Sequence, residues 1–120
     1  MLISLDDGCE IDYIPHSKDF YIFKNRLSAN EFNSIIKELN SRIDTNEIHT
    51  SSWMPGSDWS GTVYEPIYTK ACKNDFENSA KFFGLILWYV IMNRPEKWSF
   101  GRYSKNEIPI RGLTYFRIDL

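Results

Sequence analysis

The residues whose chemistry could serve catalysis are few in this chain of 120 residues, which holds two histidines and two cysteines. His49 is followed closely by Ser51 and Asp58, which together supply a base, a hydroxyl and a carboxylate. Such a trio is defined by geometry, however, and proximity along a chain produces it easily by chance. His16 stands beside a proline in a predicted turn. The sequence therefore predicts no catalytic residue, and the alternative is a small hydrolase or nuclease that uses the loop 49–65.

Cys9 and Cys72 lie far apart and form no CxxC pair, so their spacing is not that of a metal site. A glycine-rich phosphate loop, an HExxH helix and a GxSxG elbow are also absent from the sequence. We therefore expect neither a metal nor another cofactor. Free thiols are typical of a reducing compartment, and no signal-like segment opens the chain, so we expect a cytoplasmic protein that does not enter the membrane.

Charge is distributed unevenly along the chain, although the formal net charge is only -2. The first twelve residues contain four acids and no base, namely Asp6, Asp7, Glu10 and Asp12. Residues 94–117 instead carry a basic excess, interleaved with Trp98, Phe100 and Tyr103. An acidic surface steers basic partners toward it. A basic, aromatic segment is a feature of single-stranded nucleic-acid binding, so a module that uses the hairpin 97–117 is a further alternative.

The segment 44–65 is long for a loop in a compact domain, and it carries two of the four tryptophans. Tryptophans contribute strongly to binding energy when they lie in an interface. We predict a partner-binding surface that combines this loop with the acidic segment. Its residues are Asp6, Asp7, Glu10, Asp12, Trp53, Asp58, Trp59, Tyr64 and Glu65. The same loop could instead be a lid or a structural brace.

A central buried helix is predicted over residues 75–93. Almost every residue from 80 to 92 is apolar, which indicates burial on several sides. Asn74 and Glu77 fit an N-terminal capping box, and Pro95 prevents continuation. The unbroken apolar run 82–92 would cover about 16 Å as a helix, too little to cross a bilayer.

A second helix is predicted over residues 29–43. Ser28 and Glu31 form a capping box, and Leu27 and Phe32 occupy the positions of a hydrophobic staple. Apolar residues then recur at helical spacing on one face, namely Phe32, Ile35, Ile36, Leu39 and Ile43. Pro66 suits the first turn of a further short helix in which Ile67 and Ala71 face inward.

Strands are predicted on both sides of these helices. The alternating run 10–14 and the aromatic run 20–23 fit an antiparallel hairpin, with a further short strand at 2–5. Residues 97–103 and 113–118 fit a second hairpin near the end of the chain. The sequence thus predicts one α+β domain over residues 1–120, with two or three helices packed on a small antiparallel sheet.

In its length, acidity, aromatic content and lack of catalytic motifs, the chain resembles bacterial immunity proteins, which block the active site of a cognate toxin. The resemblance implies a non-enzymatic binding protein whose partner is a basic toxin domain, for example a nuclease. An acidic surface would both steer the protein to a basic cleft and exclude substrate from it.

Overall fold

The computed structural model describes residues 1–50, 59–105, 107–109 and 112–118. Within them lie three α-helices, α1 (Ser17–Lys24), α2 (Ala29–Ile43) and α3 (Phe76–Met92), and a π-helical turn at Ile67–Ala71. The strands are β1 (Leu2–Ile3), β2 (Glu10–Ile11), β3 (Ile48–Thr50), β4 (Trp98–Gly101), β5 (Ser104–Lys105), β6 (Ile108–Pro109) and β7 (Thr114–Arg117). The predicted α+β class is confirmed, with helices packed on a small sheet.

Helix α3 is the central element, as its apolar run predicts. Nine of its residues are buried, and α1, α2 and the π-helical turn all pack against it. Its N-cap is Asp75, whose side chain accepts a hydrogen bond from the backbone nitrogen of Asn78. The predicted cap, Asn74, instead adopts a left-handed backbone with φ of 64° one residue earlier. No helix in the described part of the chain is long and apolar enough to cross a membrane.

Helix α2 begins and ends where the sequence predicts. The Ser28 side chain accepts from the Glu31 nitrogen, and the Glu31 carboxylate accepts from the Ser28 nitrogen, so the capping box is complete. Leu27 and Phe32 are both buried, as a hydrophobic staple requires. The inward face of the helix is fully buried at Ile35 and Leu39.

Residues 20–23 lie in helix α1, so the predicted strand there is wrong. Phe20 and Phe23 are three residues apart and buried, whereas Tyr21 and Ile22 between them are exposed. Spacing of three places both phenylalanines on one helical face, where their rings contact Phe82 of α3. A run of four apolar residues fits either a strand or one helical turn, and tertiary packing decides between them.

The main sheet has the strand order β2-β1-β4-β7-β3. Strands β4 and β7 pair antiparallel, which confirms the second predicted hairpin, and β3 extends the sheet from within the segment predicted as a loop. Strand β2 pairs antiparallel with β1 and not with residues 20–23. Because β1 also pairs parallel with β4, the sheet is only mostly antiparallel. Strands β5 and β6 form a separate two-stranded ribbon.

Candidate functional site

His49, the strongest catalytic candidate by residue type, has a structural role in β3. Its side chain is buried, and its Nε2 atom lies 3.1 Å from the Ile43 carbonyl oxygen and 2.9 Å from that of Asn46. Since both neighbours are acceptors, Nε2 carries the proton and donates to the end of α2. His49 therefore joins β3 to the last residue of α2 and to the turn that follows it. Ser51 and Asp58 lie outside the described residues.

The two cysteines differ in their exposure to solvent. Cys72 is buried beside the π-helical turn, and burial raises the pKa of its thiol. Cys9 is exposed in the turn between β1 and β2. Among the described residues, no cluster of three or more histidine, cysteine, aspartate and glutamate side chains is placed to hold a metal ion.

The acidic segment folds as a hairpin, and we call residues 2–13 the acidic hairpin. Two backbone hydrogen bonds close its turn, from Gly8 to the Ser4 oxygen and from Ser4 to the Cys9 oxygen. Gly8 supplies the left-handed conformation that the turn requires, with φ of 71°. The Asp7 carboxylate accepts from the Cys9 nitrogen at 2.9 Å and so helps to hold the turn. The fold thus presents these acids on a defined structure.

All four acids of the hairpin are exposed. None of Asp6, Asp7, Glu10 and Asp12 takes part in a salt bridge within the described residues. Their charges therefore remain available to a basic partner. Two large apolar side chains accompany them, since Leu5 is 59% and Tyr13 62% exposed.

The hairpin is attached firmly to the body of the protein. Leu2 is fully buried, and the Ser99 hydroxyl of β4 donates to the Ile3 carbonyl oxygen at 2.8 Å. On the other side, the indole nitrogen of Trp88 donates to the Tyr13 carbonyl oxygen at 2.9 Å. These contacts fix both arms of the hairpin to the body of the protein.

The loop half of the predicted surface is built differently. Trp59 is half-buried, with its ring centroid 6.4 Å from that of Tyr64 and 6.0 Å from that of Phe83. Tyr64 is only 1% exposed and meets Phe83 edge-on, and burial raises the pKa of its hydroxyl. Tyr64 therefore packs in the core and cannot contact a partner in this conformation, so its place in the predicted binding surface is wrong. Glu65 is partly buried and accepts from the Gly61 nitrogen at 2.6 Å.

Trp53 and Asp58 lie outside the described residues. For the rest of the predicted surface, the structure places the two halves on different elements. The acidic hairpin forms one edge of the sheet, whereas Trp59 packs against helix α3. Strand β3, from which the loop departs, forms the opposite edge of the sheet. The acidic hairpin is thus a candidate surface separate from the loop that carries Trp59.

Two of the three aromatic residues of the basic segment, Trp98 and Phe100, pack against the core, whereas Tyr103 is 46% exposed. Trp98 is 1% exposed, and the Phe100 ring lies 4.8 Å from Trp88 of helix α3. Buried rings cannot stack on nucleic-acid bases. Arg94, the first cation of this segment, forms salt bridges with Asp44 and Glu96. Burial of Trp98 and Phe100 therefore weakens the nucleic-acid alternative, and Arg102 and Tyr103 are exposed residues of this segment that it could still use.

Leu5 and Tyr13 are the exposed apolar residues that sequence reasoning missed. Alternation over residues 10–14 would place Tyr13 on the inward side with Ile11. Strand β2 ends at Ile11, however, so the alternation does not continue and the Tyr13 side chain points to solvent. For Leu5, the two aspartates that follow it could have indicated a turn. A turn between short strands exposes its apolar residues as well as its polar ones.

Comparisons with protein-family models, with curated proteins and with solved structures found no match to this chain. The function must therefore be inferred from the geometry and chemistry of its surfaces.

Proposed function

We propose that this chain is a non-enzymatic, immunity-type bacterial protein that neutralises a basic toxin domain in the cytoplasm. The acidic hairpin is its binding surface, and it acts by covering the active surface of the toxin. The observation that carries this proposal is the set of four exposed carboxylates on one anchored hairpin, none of them paired with a cation in the described chain.

Electrostatics supports a basic partner. Four carboxylates within seven residues, from Asp6 to Asp12, create a local negative field although the whole chain is nearly neutral. Such a field raises the association rate with a positively charged surface and suppresses wrong partners. A nuclease cleft, which binds phosphate, offers a positive surface of this kind. Covering it would exclude the nucleic acid.

Apolar contact and rigidity support a stable complex. Leu5 and Tyr13 can bury apolar area at the centre of an interface that the acids surround. Tyrosine is among the residues that most often dominate binding energy. Because both arms of the hairpin are already fixed to β4 and α3, little conformational entropy would be lost on binding.

The test compares two variants that each lose three negative charges. The hairpin variant carries Asp6→Asn, Glu10→Gln and Asp12→Asn, and it keeps Asp7 because that side chain holds the turn. The control carries Glu47→Gln, Glu77→Gln and Glu107→Gln, which remove exposed carboxylates elsewhere. Wild type and both variants are immobilised and exposed to an extract of the source cell. Any retained basic protein is then purified and assayed for toxic or nucleolytic activity with and without this chain.

The proposal predicts a partner that wild type and the control retain and that the hairpin variant loses. It also predicts that wild type suppresses the activity of that partner at equimolar concentration. Retention of the partner by both variants alike would show that the hairpin is not the binding surface. A partner whose activity is unchanged in the complex would contradict neutralisation.

A further inference from the structure

A cleft of about 340 Å³ lies on the side of helix α3 that faces the ends of strands β4 and β7. Its floor is formed by α3 around Gly84 and Trp88, and Leu113 and Tyr115 form one wall. His16, which precedes α1, and Arg102, which follows β4, stand at its margin. The volume falls in the range of small-molecule sites, about 300–1,000 Å³. None of these residues belongs to the acidic hairpin.

Gly84 keeps this cleft open. It lies in the middle of α3, where glycine is among the least favourable residues for a helix. Close packing does not require it, because a Cβ atom built at Gly84 would meet nothing within 4 Å. Any larger side chain would extend into the empty space of the cleft. Gly84 therefore leaves the cleft empty, whereas the packing of the core does not require a glycine at this position.

The walls of the cleft combine apolar side chains with one tyrosine. Trp88 is held in place, since its indole nitrogen donates to Tyr13 and its ring packs 4.8 Å from Phe100. Tyr115 is 1% exposed, and its side chain lines the cleft. Burial raises the pKa of its hydroxyl, so it stays protonated and can act as a donor.

The charged groups around the cleft are mainly basic. Lys81 is neutralised by Asp19, with 2.6 Å between Nζ and Oδ2. Arg102 is exposed and takes part in no salt bridge within the described residues. A guanidinium without a carboxylate partner is well suited to hold an anion in two hydrogen bonds.

We propose that this cleft binds a small organic anion with an aromatic body. The aromatic body would lie over Gly84 against Trp88 and Leu113, and the anionic group would face Arg102. The Tyr115 hydroxyl would donate to a polar atom of the same molecule. This inference does not depend on the acidic hairpin, so its success or failure is separate from that of the proposed function.

The test uses dansylglycine, a fluorescent aromatic carboxylate, titrated with the protein. Dansylamide, which has the same aromatic group without the carboxylate, measures the part of binding that does not depend on charge. Gly84→Leu should weaken dansylglycine binding by at least about tenfold, because leucine fills the cleft. Gly84→Ala adds one methyl group to open space and favours the helix, so it should fold well and weaken binding by a smaller factor.

Arg102→Gln should weaken dansylglycine binding severalfold and leave dansylamide binding unchanged. Lys37→Gln, at an exposed cation on α2, is the matched control and should change neither. Circular dichroism and the melting temperature show that each variant is folded. The proposal is overturned if folded wild type shows no saturable dansylglycine binding at millimolar concentration. It is equally overturned if both Gly84 variants bind dansylglycine as wild type does.

Discussion

Single residues chosen for their chemistry have structural roles where the structure describes them. His49 donates to two carbonyl groups at the end of α2, and Tyr64 packs between Trp59 and Phe83. The carboxylate of Glu31 also has a structural role. It accepts from the Ser28 nitrogen at 2.9 Å and from the Lys70 ammonium group at 2.6 Å, so it joins α2 to the π-helical turn. The hydrogen bonds from Lys70 and then from Ser28 lower the pKa of Glu31.

Replacing Glu31 by glutamine should lower the free energy of unfolding at neutral pH and have little effect in acid. The pKa of Glu31 is lower in the folded chain than its ordinary value of 4.5. The carboxylate therefore stabilises the fold fully above that value, and its contribution is lost as the pH falls through the lower, folded value. Urea unfolding of wild type and Glu31→Gln from about pH 7 to about pH 3 measures the difference.

Glu107→Gln provides the comparison, since Glu107 is exposed and belongs to no salt bridge of the described residues. If the stability difference between wild type and Glu31→Gln were the same at both ends of the pH range, the charge of Glu31 would not be its source. The geometry of the capping box would then account for the whole effect.

Among the elements, α3 determines the fold because the other helices pack on it. Leu87 in this helix is fully buried. Leu87→Ala should lower the free energy of unfolding by about 2–5 kcal/mol, since it removes buried methyl groups and leaves a cavity. Phe76→Ala, at a 64% exposed position of the same helix, should cost less than about 0.5 kcal/mol. Denaturant unfolding measures both changes, and a loss below about 1 kcal/mol for Leu87→Ala with unchanged slope would mean that α3 is peripheral.

How well an element could be predicted depends on how local its determinants are. Helix α2 carries its own start signal in Ser28 and Glu31 and its own apolar face, so its bounds could be read from the sequence. Helix α1 has no such signal. His16, the residue before it, adopts a left-handed backbone with φ of 50° and makes no side-chain capping bond. Its formation depends on Phe20 and Phe23 packing against α3, which local sequence does not reveal.

The candidate sites were less predictable than the fold for the same reason. The acids of the hairpin could be named from the sequence, because exposed charges on a turn need no distant partner. The exposure of Tyr13 depends on β2 ending at Ile11, and the burial of Tyr64 depends on contact with Phe83. The cleft beside Gly84 requires α3, β4 and β7 to be assembled first, so nothing in the sequence near Gly84 indicates it.

For the molecule as a whole, the acidic hairpin lies at one edge of the sheet, directly beside strand β4 of the basic segment. The acidic hairpin occupies one edge, and β3 occupies the other, with β4 and β7 between them. Arg94 is joined to Asp44 and Glu96, so part of the basic excess is neutralised within the body of the protein. The acids of the hairpin have no such internal partners in the described chain. The protein therefore offers a negative edge to its surroundings.

Once the basic partner has been purified, the kinetics of binding should distinguish the acidic residues of the hairpin from its apolar residue Tyr13. The variant Asp6→Asn/Glu10→Gln/Asp12→Asn should associate more slowly than wild type, and its association rate should depend less on salt, because rim charges act mainly on encounter. Tyr13→Ala should mainly speed dissociation and cost at least about 2 kcal/mol of binding free energy if Tyr13 lies at the centre of the interface. Surface plasmon resonance at several salt concentrations measures both rates.

Tyr21→Ala controls for the loss of an exposed tyrosine, because Tyr21 is 52% exposed and belongs to α1 and not to the hairpin. The Trp88 hydrogen bond to residue 13 uses the backbone carbonyl, so Tyr13→Ala keeps the anchor of the hairpin and should leave the melting temperature unchanged. Wild-type rates for both hairpin variants would place the binding surface elsewhere. The basic strands within residues 97–117 would then be the next surface to test, because their charges are opposite in sign and should attract an acidic partner.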